Sequence, residues 1–519
     1  MNIGAFGALC EPPDAERHVR WCGRWGPVTV LAYPMMTQIC ATVIGRDVET
    51  IRHARAAVEA EADLVELRLD SMDRPDPAGA LEGRRKPAIV TCRPLREGGM
   101  FGGTEEERLR ILRDAHALGA EFIDVEWDAD FRSLVDARGG RGVVVSRHVF
   151  DGTPPDPPAM LEHLRGAGGE VAKLAVMTER LSDLRSLIAG ARGDGSSILI
   201  GLGRTGVTTR VLAGRFGSRW TYAGAGIAPG QLPIEQLLRE YQFRRVRPDA
   251  AVYAVIGRPV VHSLSPAMHN AAFAALGFNA VYVPLETRDL EGLRAFAADI
   301  GLRGASVTIP FKQEVMALLD EIAPAAAAAG AVNTIAIRDG RWIGLNTDGD
   351  GFIEPLRRRL PGGLAGARAV VLGAGGAARG VGLALRREGA RVTICARRAD
   401  AARAVAHAIG AHAGEWPASA GSWDVLVNAT PVGSGAVPGT PYDAPIDGRV
   451  VYDLIYDPDP TMLMRAAAEA GVEVIGGIEM LVAQGERQFE IWTGQRPPAG
   501  LFRGAAAQAT RHRHETNHV

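Results

Sequence analysis

The chain has 519 residues, 47% of them hydrophobic and 23% charged, with a formal net charge of −2. That length exceeds what one core organises, so at least two domains are expected, and the balanced charge excludes the basic excess that would favour a nucleic-acid partner. No run approaches the roughly 20 apolar residues that cross a bilayer, and the first residues lack a signal peptide's basic start, apolar core and small-residue cleavage site, so a soluble protein is expected. The cysteines Cys10, Cys22, Cys40, Cys92 and Cys395 are scattered and odd in number, which fits neither a disulfide framework nor a metal site. A cytoplasmic enzyme for small molecules is the expectation.

Residues 1–34 show no periodicity and read as an irregular extension, with Met35 or Met36 as an alternative translation start. From 35 to 248, β-rich runs alternate with helical stretches: TQICATVI, DLVELRL, PAIVTCR, EFIDVEW, GVVVSRH, EVAKLAV, SILIGLG and RWTYAG. Eight such units predict an α/β fold closed as a (β/α)8 TIM barrel. Arg247, Pro248 and Asp249 make a short polar break, and VYAVIG opens a second α/β series, a substrate-binding lobe over 249–360. Within 361–478, ARAVVLGAGGAARGVGLAL reads as the strand, glycine turn and helix of a Rossmann dinucleotide-binding domain. The helical run IEMLVAQGERQFEIW, within 479–505, suits a segment returning to the lobe. Residues 506–519, with His512, His514 and His518, read as a disordered tail.

Polar residues gather at the C-terminal ends of the barrel strands, where such folds place their chemistry: Glu66 and Arg68, Arg93, Asp124 and Glu126, His148 and Lys173, with Arg210 and Gln231 from later loops. Lys173 has apolar neighbours in VAKLAVM, so a poorly solvated ammonium is expected to lean toward the free amine, a nucleophile for a ketone. His148 could move protons, and Arg93 and Arg210 suit a carboxylate or hydroxyls. Across 37–245 the motifs ELRLD, TCRPLREGG, SRHVFDGTP, KLAVM, RTGVTTRVLAGRFGS and APGQ resemble the type I 3-dehydroquinate dehydratases. The resemblance implies Lys173 as the imine-forming lysine and His148 as acid/base, with Glu97 near the histidine. It also implies Glu66, Arg68, Arg93, Arg210 and Gln231 as substrate contacts and Asp124 as the partner orienting His148. Ile227 stands where many members carry a small hydroxyl residue, and Val149 where an acidic or amide residue is common, so one substrate hydrogen bond is expected to be missing.

In the second half, GAGGAA at 373–378 brings backbone close to a pyrophosphate at a helix N-terminus. Where an NAD enzyme would present an acidic residue, ICARR places Arg397 and Arg398, which favours the 2′-phosphate of NADP. Upstream, HSLSPAMHN, SVTIPFK, GAVNT and NTDGDGF supply hydroxyls, an amide, a lysine and a carboxylate suited to a carboxylated polyol ring. These motifs, with NATPVGS, DLIYDP and MLVAQGERQF, resemble the shikimate dehydrogenases over 251–503. The resemblance implies Lys312 and Asp348 as a catalytic dyad, and Ser263, Ser265, Thr308, Asn333, Asp348, Tyr456 and Gln484 around shikimate. It further implies Gly373, Ala374, Gly375, Gly376, Ala377, Arg397, Arg398, Leu454 and Gly477 around NADP. Ala396 and Arg398 replace the usual asparagine and threonine flanking the arginine, so recognition of the 2′-phosphate is expected to rest on charge.

The first resemblance implies a product, 3-dehydroshikimate, that is the substrate implied by the second. Two other readings compete: quinate or shikimate oxidation, against which the serine pair speaks, and a regulator built from the same modules, whose mark would be loss of Lys173, His148, Lys312 or Asp348. All four are present.

Overall fold

A computed structural model describes residues 37–224 and 226–517; the extension at 1–34 lies outside the described residues. The first eight strands are β1 (Gln38–Val43), β2 (Leu64–Arg68), β3 (Ala88–Thr91), β4 (Phe122–Glu126), β5 (Val143–Val149), β6 (Val171–Met177), β7 (Ser197–Leu202) and β8 (Trp220–Ala223). They pair in the order β7-β6-β5-β4-β3-β2-β1-β8, and the Arg219 N–H donates to the Ser197 carbonyl across the remaining seam (3.2 Å). The sheet thus curls to near closure. Side chains alternate across each strand: one set packs outward under the helices, while Cys40, Leu64, Ile89, Val144, Val171, Ile198 and Trp220 fill the lower interior. The polar residues of the strand ends stand above this apolar floor.

A second sheet holds β9 (Ala251–Gly257), β10 (Ala280–Glu286), β11 (Leu302–Val307), β12 (Glu321–Ile322), β13 (Thr334–Arg338) and β14 (Arg341–Leu345), in the order β10-β9-β11-β13-β14-β12. Its apolar core is continuous with that outside the barrel. Two buried hydrogen bonds stitch the halves: Thr208 Oγ1 to the Pro284 carbonyl (2.7 Å) and Asn270 Nδ2 to the Glu240 carbonyl (3.0 Å).

The third sheet, β15 (Arg368–Leu372), β16 (Arg391–Cys395), β17 (His412–Ala413), β18 (Val425–Asn428), β19 (Val450–Asp453) and β20 (Glu473–Gly476), is parallel throughout, in the order β17-β16-β15-β18-β19-β20. This doubly wound order has its switch point between β15 and β18, where such sheets bind ligands. The helix Asp348–Arg359 leads into this domain, and the helix Gly477–Thr493 returns beside it. A Cβ on Gly351 would lie 2.6 Å from that of Gln484, so glycine is required for the two helices to approach this closely.

The disordered tail expected from 506 is corrected: Leu501–Asn517 is a helix. Its alanine-rich sequence favours helix, and Phe502, Ala506 and Ala509 form a stripe, at most 3% exposed, in an apolar cluster with Ala267, Met268 and Ala272 of the helix Ser265–Ala275. Small alanines made that stripe faint in the sequence. Among the described residues, no helix is long and apolar enough to cross a membrane.

Candidate active sites

Two-residue spacing turns Glu66 and Arg68 of β2, Asp124 and Glu126 of β4, and Ser146 and His148 of β5 toward the barrel interior, with Lys173 of β6 in register with Ser146. The Lys173 amine lies 2.9 Å from Asp124 Oδ2, 3.6 Å from Glu66 Oε1 and 4.2 Å from the centre of the Tyr222 ring. The apolar setting expected from sequence is therefore corrected. Ala172 and Leu174 point outward into the core, while the amine stands inward as an ion pair. Burial opposes charge on Asp124, but Lys173 and Arg93 outweigh it and hold this carboxyl well below the usual carboxylate range.

Asp124 is also not the partner of His148, because its oxygens are taken by Lys173, Arg93 (3.0 Å) and Ser146 (2.5 Å). Glu97 takes that place. It ends the short 3₁₀ turn Leu95–Glu97, and its Oε2 lies 3.0 Å from His148 Nδ1 and accepts the His148 backbone N–H at 2.7 Å. Burial, helped by Arg93 and Lys173, lowers the imidazole well below its ordinary range, while burial raises Glu97. Both shifts favour the neutral form of the group, on the imidazole and on the carboxyl beside it.

The rest of this pocket is lined by Arg68, Arg93, Arg210, Gln231 and Ile227 among others. Arg68 is pinned bidentately by Asp70 (2.8 and 2.7 Å), and Gln231 donates to Thr42 Oγ1 (3.0 Å). Arg210 differs from the other arginines. It is 3% exposed, its Nε has no hydrogen-bond partner, and with no carboxylate beside it burial pushes the guanidinium down to about 10. An uncompensated buried cation on a pocket wall is a receptor for an anionic ligand. Ile227 offers no hydrogen bond there.

The second pocket lies where the lobe meets the nucleotide-type domain and is lined by Ser263, Ser265, Thr308, Lys312, Asn333, Asp348, Tyr456 and Gln484. Lys312 Nζ is 2.6 Å from Asp348 Oδ2, and Asn333 Nδ2 donates to Asp348 Oδ1 (2.7 Å). Asp348 opens the helix Asp348–Arg359, where the helix dipole favours a carboxylate. The Asn333 amide orientation is fixed because its Oδ1 accepts the Thr347 backbone N–H (2.8 Å). Tyr456, 40% exposed, comes from the loop after β19, beside Leu454 and Gly477 on the same pocket.

At the switch point, Gly373 takes φ +116°, and a Cβ there would come within 2.8 Å of the Ala429 carbonyl, so only glycine fits. Ala374, Gly375, Gly376 and Ala377 continue into the helix Gly376–Arg387. Gly375 and Gly376 face open space, leaving helix N–H groups free to meet a phosphate. Arg397 and Arg398 are exposed just past β16.

Two groups escaped sequence reasoning. Gln488 donates to Thr334 Oγ1 (2.9 Å) and the Asn333 carbonyl (3.2 Å) and accepts from Ser306 Oγ (2.8 Å). Its signal was the four-residue spacing from Gln484 within MLVAQGERQF. Arg108, fully buried, pairs with Glu126 and thereby backs Arg93; nothing in ERLRILRD marked it apart from a solvated helix arginine.

Family models match three stretches: type I 3-dehydroquinase over 39–248, the shikimate dehydrogenase substrate binding domain over 255–335, and the shikimate 5'-dehydrogenase C-terminal domain over 477–506. The chloroplastic bifunctional 3-dehydroquinate dehydratase/shikimate dehydrogenase of Arabidopsis thaliana is 35% identical over 503 residues, covering 89% of this chain and 83% of its own length. The NADP(+) shikimate dehydrogenase of Methanopyrus kandleri is 41% identical over 281 residues, covering 51% of this chain and 97% of its own. Among solved structures, the dehydroquinate dehydratase and shikimate dehydrogenase of S. pombe AroM is 25% identical and covers 92% of this chain and 98% of its own, at a TM-score of 0.44. With both halves matched in one order by a single relative, the chain belongs to the family of bifunctional 3-dehydroquinate dehydratase/shikimate dehydrogenases.

Proposed function

We propose that the barrel dehydrates 3-dehydroquinate to 3-dehydroshikimate and that the second half reduces this product to shikimate, with Lys173 and Lys312 as the central groups. The observation that carries the reading is that each lysine stands in a pocket of its own beside an aspartate, at 2.9 Å and 2.6 Å. In the barrel, the Lys173 amine adds to the ring ketone and expels water, giving an iminium that acidifies the adjacent C–H. His148 and its Glu97 partner move the protons: the acidified proton leaves, the β-hydroxyl departs as water, and hydrolysis frees Lys173 and the enone. Arg210 holds the carboxylate. Arg210→Ala is therefore expected to raise KM for 3-dehydroquinate by about 30- to 100-fold, the worth of a charge-assisted pair; a KM unchanged in steady-state kinetics would contradict this.

The sign of the His148 shift gives a pH prediction. A lowered imidazole stays in its neutral form to lower pH, so the acid limb of dehydratase kcat/KM should lie below about 6.5, the ordinary histidine value. A limb above that value in a pH-rate profile would remove His148 from this role.

The dehydrogenase half fits NADP: the glycine turn leaves room for a pyrophosphate, and two exposed arginines follow β16, where they would suit a 2′-phosphate. When bound, the reduced nicotinamide supplies a hydride. Lys312 donates a proton to the carbonyl oxygen as it becomes an alkoxide, Asp348 orients Lys312, and Asn333 holds Asp348. Ser263 and Ser265 take the ring carboxylate. The double variant Arg397→Ala/Arg398→Ala is expected to raise KM for NADP+ by roughly 10- to 100-fold and leave KM for NAD+ unchanged. Equal losses for both cofactors would speak against a 2′-phosphate contact.

Borohydride reduction tests the covalent step. Treating the protein with 3-dehydroquinate and borohydride should add one ring mass to the peptide carrying Lys173, and none to a Lys173→Ala variant. A label elsewhere, or none, would overturn the assignment.

A further inference from the structure

We propose that Arg513, near the end of the helix Leu501–Asn517, is a positioning residue for the shikimate pocket, clamping the Ser263 loop to the barrel. This rests on the function proposed above. Its guanidinium grips two halves of the chain at once. Nε and Nη2 hold the Glu240 carboxylate at the end of the barrel helix Ile234–Arg239 (3.1 and 2.6 Å). Nη1 and Nη2 donate to the backbone carbonyls of His262 (2.5 Å) and Ser263 (3.1 Å). Ser263 Oγ in turn accepts the Ser265 N–H (3.2 Å), and both serines line the pocket.

The loop is anchored at its other end from within the lobe, where Glu286 Oε2 accepts the N–H groups of Val260 (2.9 Å) and Val261 (3.3 Å). Between these two charged anchors the serine hydroxyls are held in register. The Arg513 anchor is fastened to the barrel through Glu240, so the dehydratase half braces the substrate loop of the dehydrogenase half. Glu240 is itself fixed, since its backbone carbonyl accepts from Asn270 Nδ2 (3.0 Å) and its carboxylate from Gln236 Nε2 (3.2 Å). A planar fork can serve a carboxylate and two carbonyls together, which an ammonium cannot. The helix carrying Arg513 is held by Phe502, Ala506 and Ala509 in the core, so removing the Arg513 side chain frees the loop without detaching the helix.

In the full chain, Arg513→Ala should raise KM for shikimate roughly tenfold with kcat within about twofold. KM for NADP+ and dehydratase kcat/KM should not change. Glu240→Gln should shift the shikimate KM in the same direction by less, and Arg513→Lys should recover part of the loss. Amide hydrogen exchange provides a readout independent of activity: the amides of Ser263 and Ser265 should exchange faster in Arg513→Ala. An unchanged shikimate KM with unchanged exchange overturns the proposal, as does a parallel loss of both activities with a lowered Tm, which marks a general structural role. If the unaltered chain reduces no 3-dehydroshikimate, the proposed function falls, while the exchange measurement still decides the clamp.

Discussion

Lys173→Ala is expected to remove dehydratase turnover by roughly 10^4-fold or more while leaving NADPH-dependent reduction of added 3-dehydroshikimate intact. The size follows from the chemistry. Without an amine there is no iminium, and the C–H beside the ketone must be broken without an electron sink. The selectivity follows from the architecture, because Lys173 hangs from β6 above the barrel floor and its ion pairs are with Asp124 and Glu66 of the same barrel. The variant removes one cation but leaves Asp124 held by Arg93 and Ser146 and Glu66 by Thr42 and Thr91, so neither carboxylate is stripped of partners and the barrel should stay folded. Following the enone absorbance of the product checks the first half, and NADPH absorbance the second. Residual dehydration within about tenfold of the unaltered rate would exclude covalent catalysis through this residue.

Lys312→Ala is expected to do the converse, lowering dehydrogenase kcat by about 10^2- to 10^4-fold, the usual worth of a positioned acid, with dehydration unaffected. Lys312 shares its carboxylate partner with Asn333, so Asp348→Asn should lower kcat as well. The two substitutions together should cost little more than Lys312→Ala alone, since they break one unit. A double variant whose losses multiply would show that lysine and aspartate act separately. KM for NADP+ should stay put in all three, because the glycine turn and the arginines lie apart from the dyad.

The eight barrel strands were legible because strands buried on both faces read as short β-branched runs, and the polar residues at their ends stood out against them. Lys173 and His148 stood out for the same reason, whereas Lys312 and Asp348 were legible only through the resemblance carried by their motifs; each of the four lines a pocket. Pairings across strands were not legible. Whether Asp124 or Glu97 serves His148 depends on where the turn after β3 brings Glu97, a distance that spacing along one strand cannot give. The same holds for Lys173, whose sequence neighbours face outward while its spatial neighbours come from β2, β4 and β8. The C-terminal helix was missed because its buried stripe is two alanines and one phenylalanine, and with it went the Arg513 clamp. Gln488 was passed over although it lies four residues from Gln484 on one helix, because its partners sit on β11 and β13, more than a hundred and fifty residues upstream.

The most direct test of the whole account gives the purified chain 3-dehydroquinate and NADPH together and follows NADPH absorbance, with no other enzyme present. The account predicts NADPH consumption equal to the 3-dehydroquinate supplied, abolished by Lys173→Ala and restored in that variant by added 3-dehydroshikimate. A folded chain that consumes no NADPH under these conditions, or whose consumption survives Lys173→Ala, would contradict it.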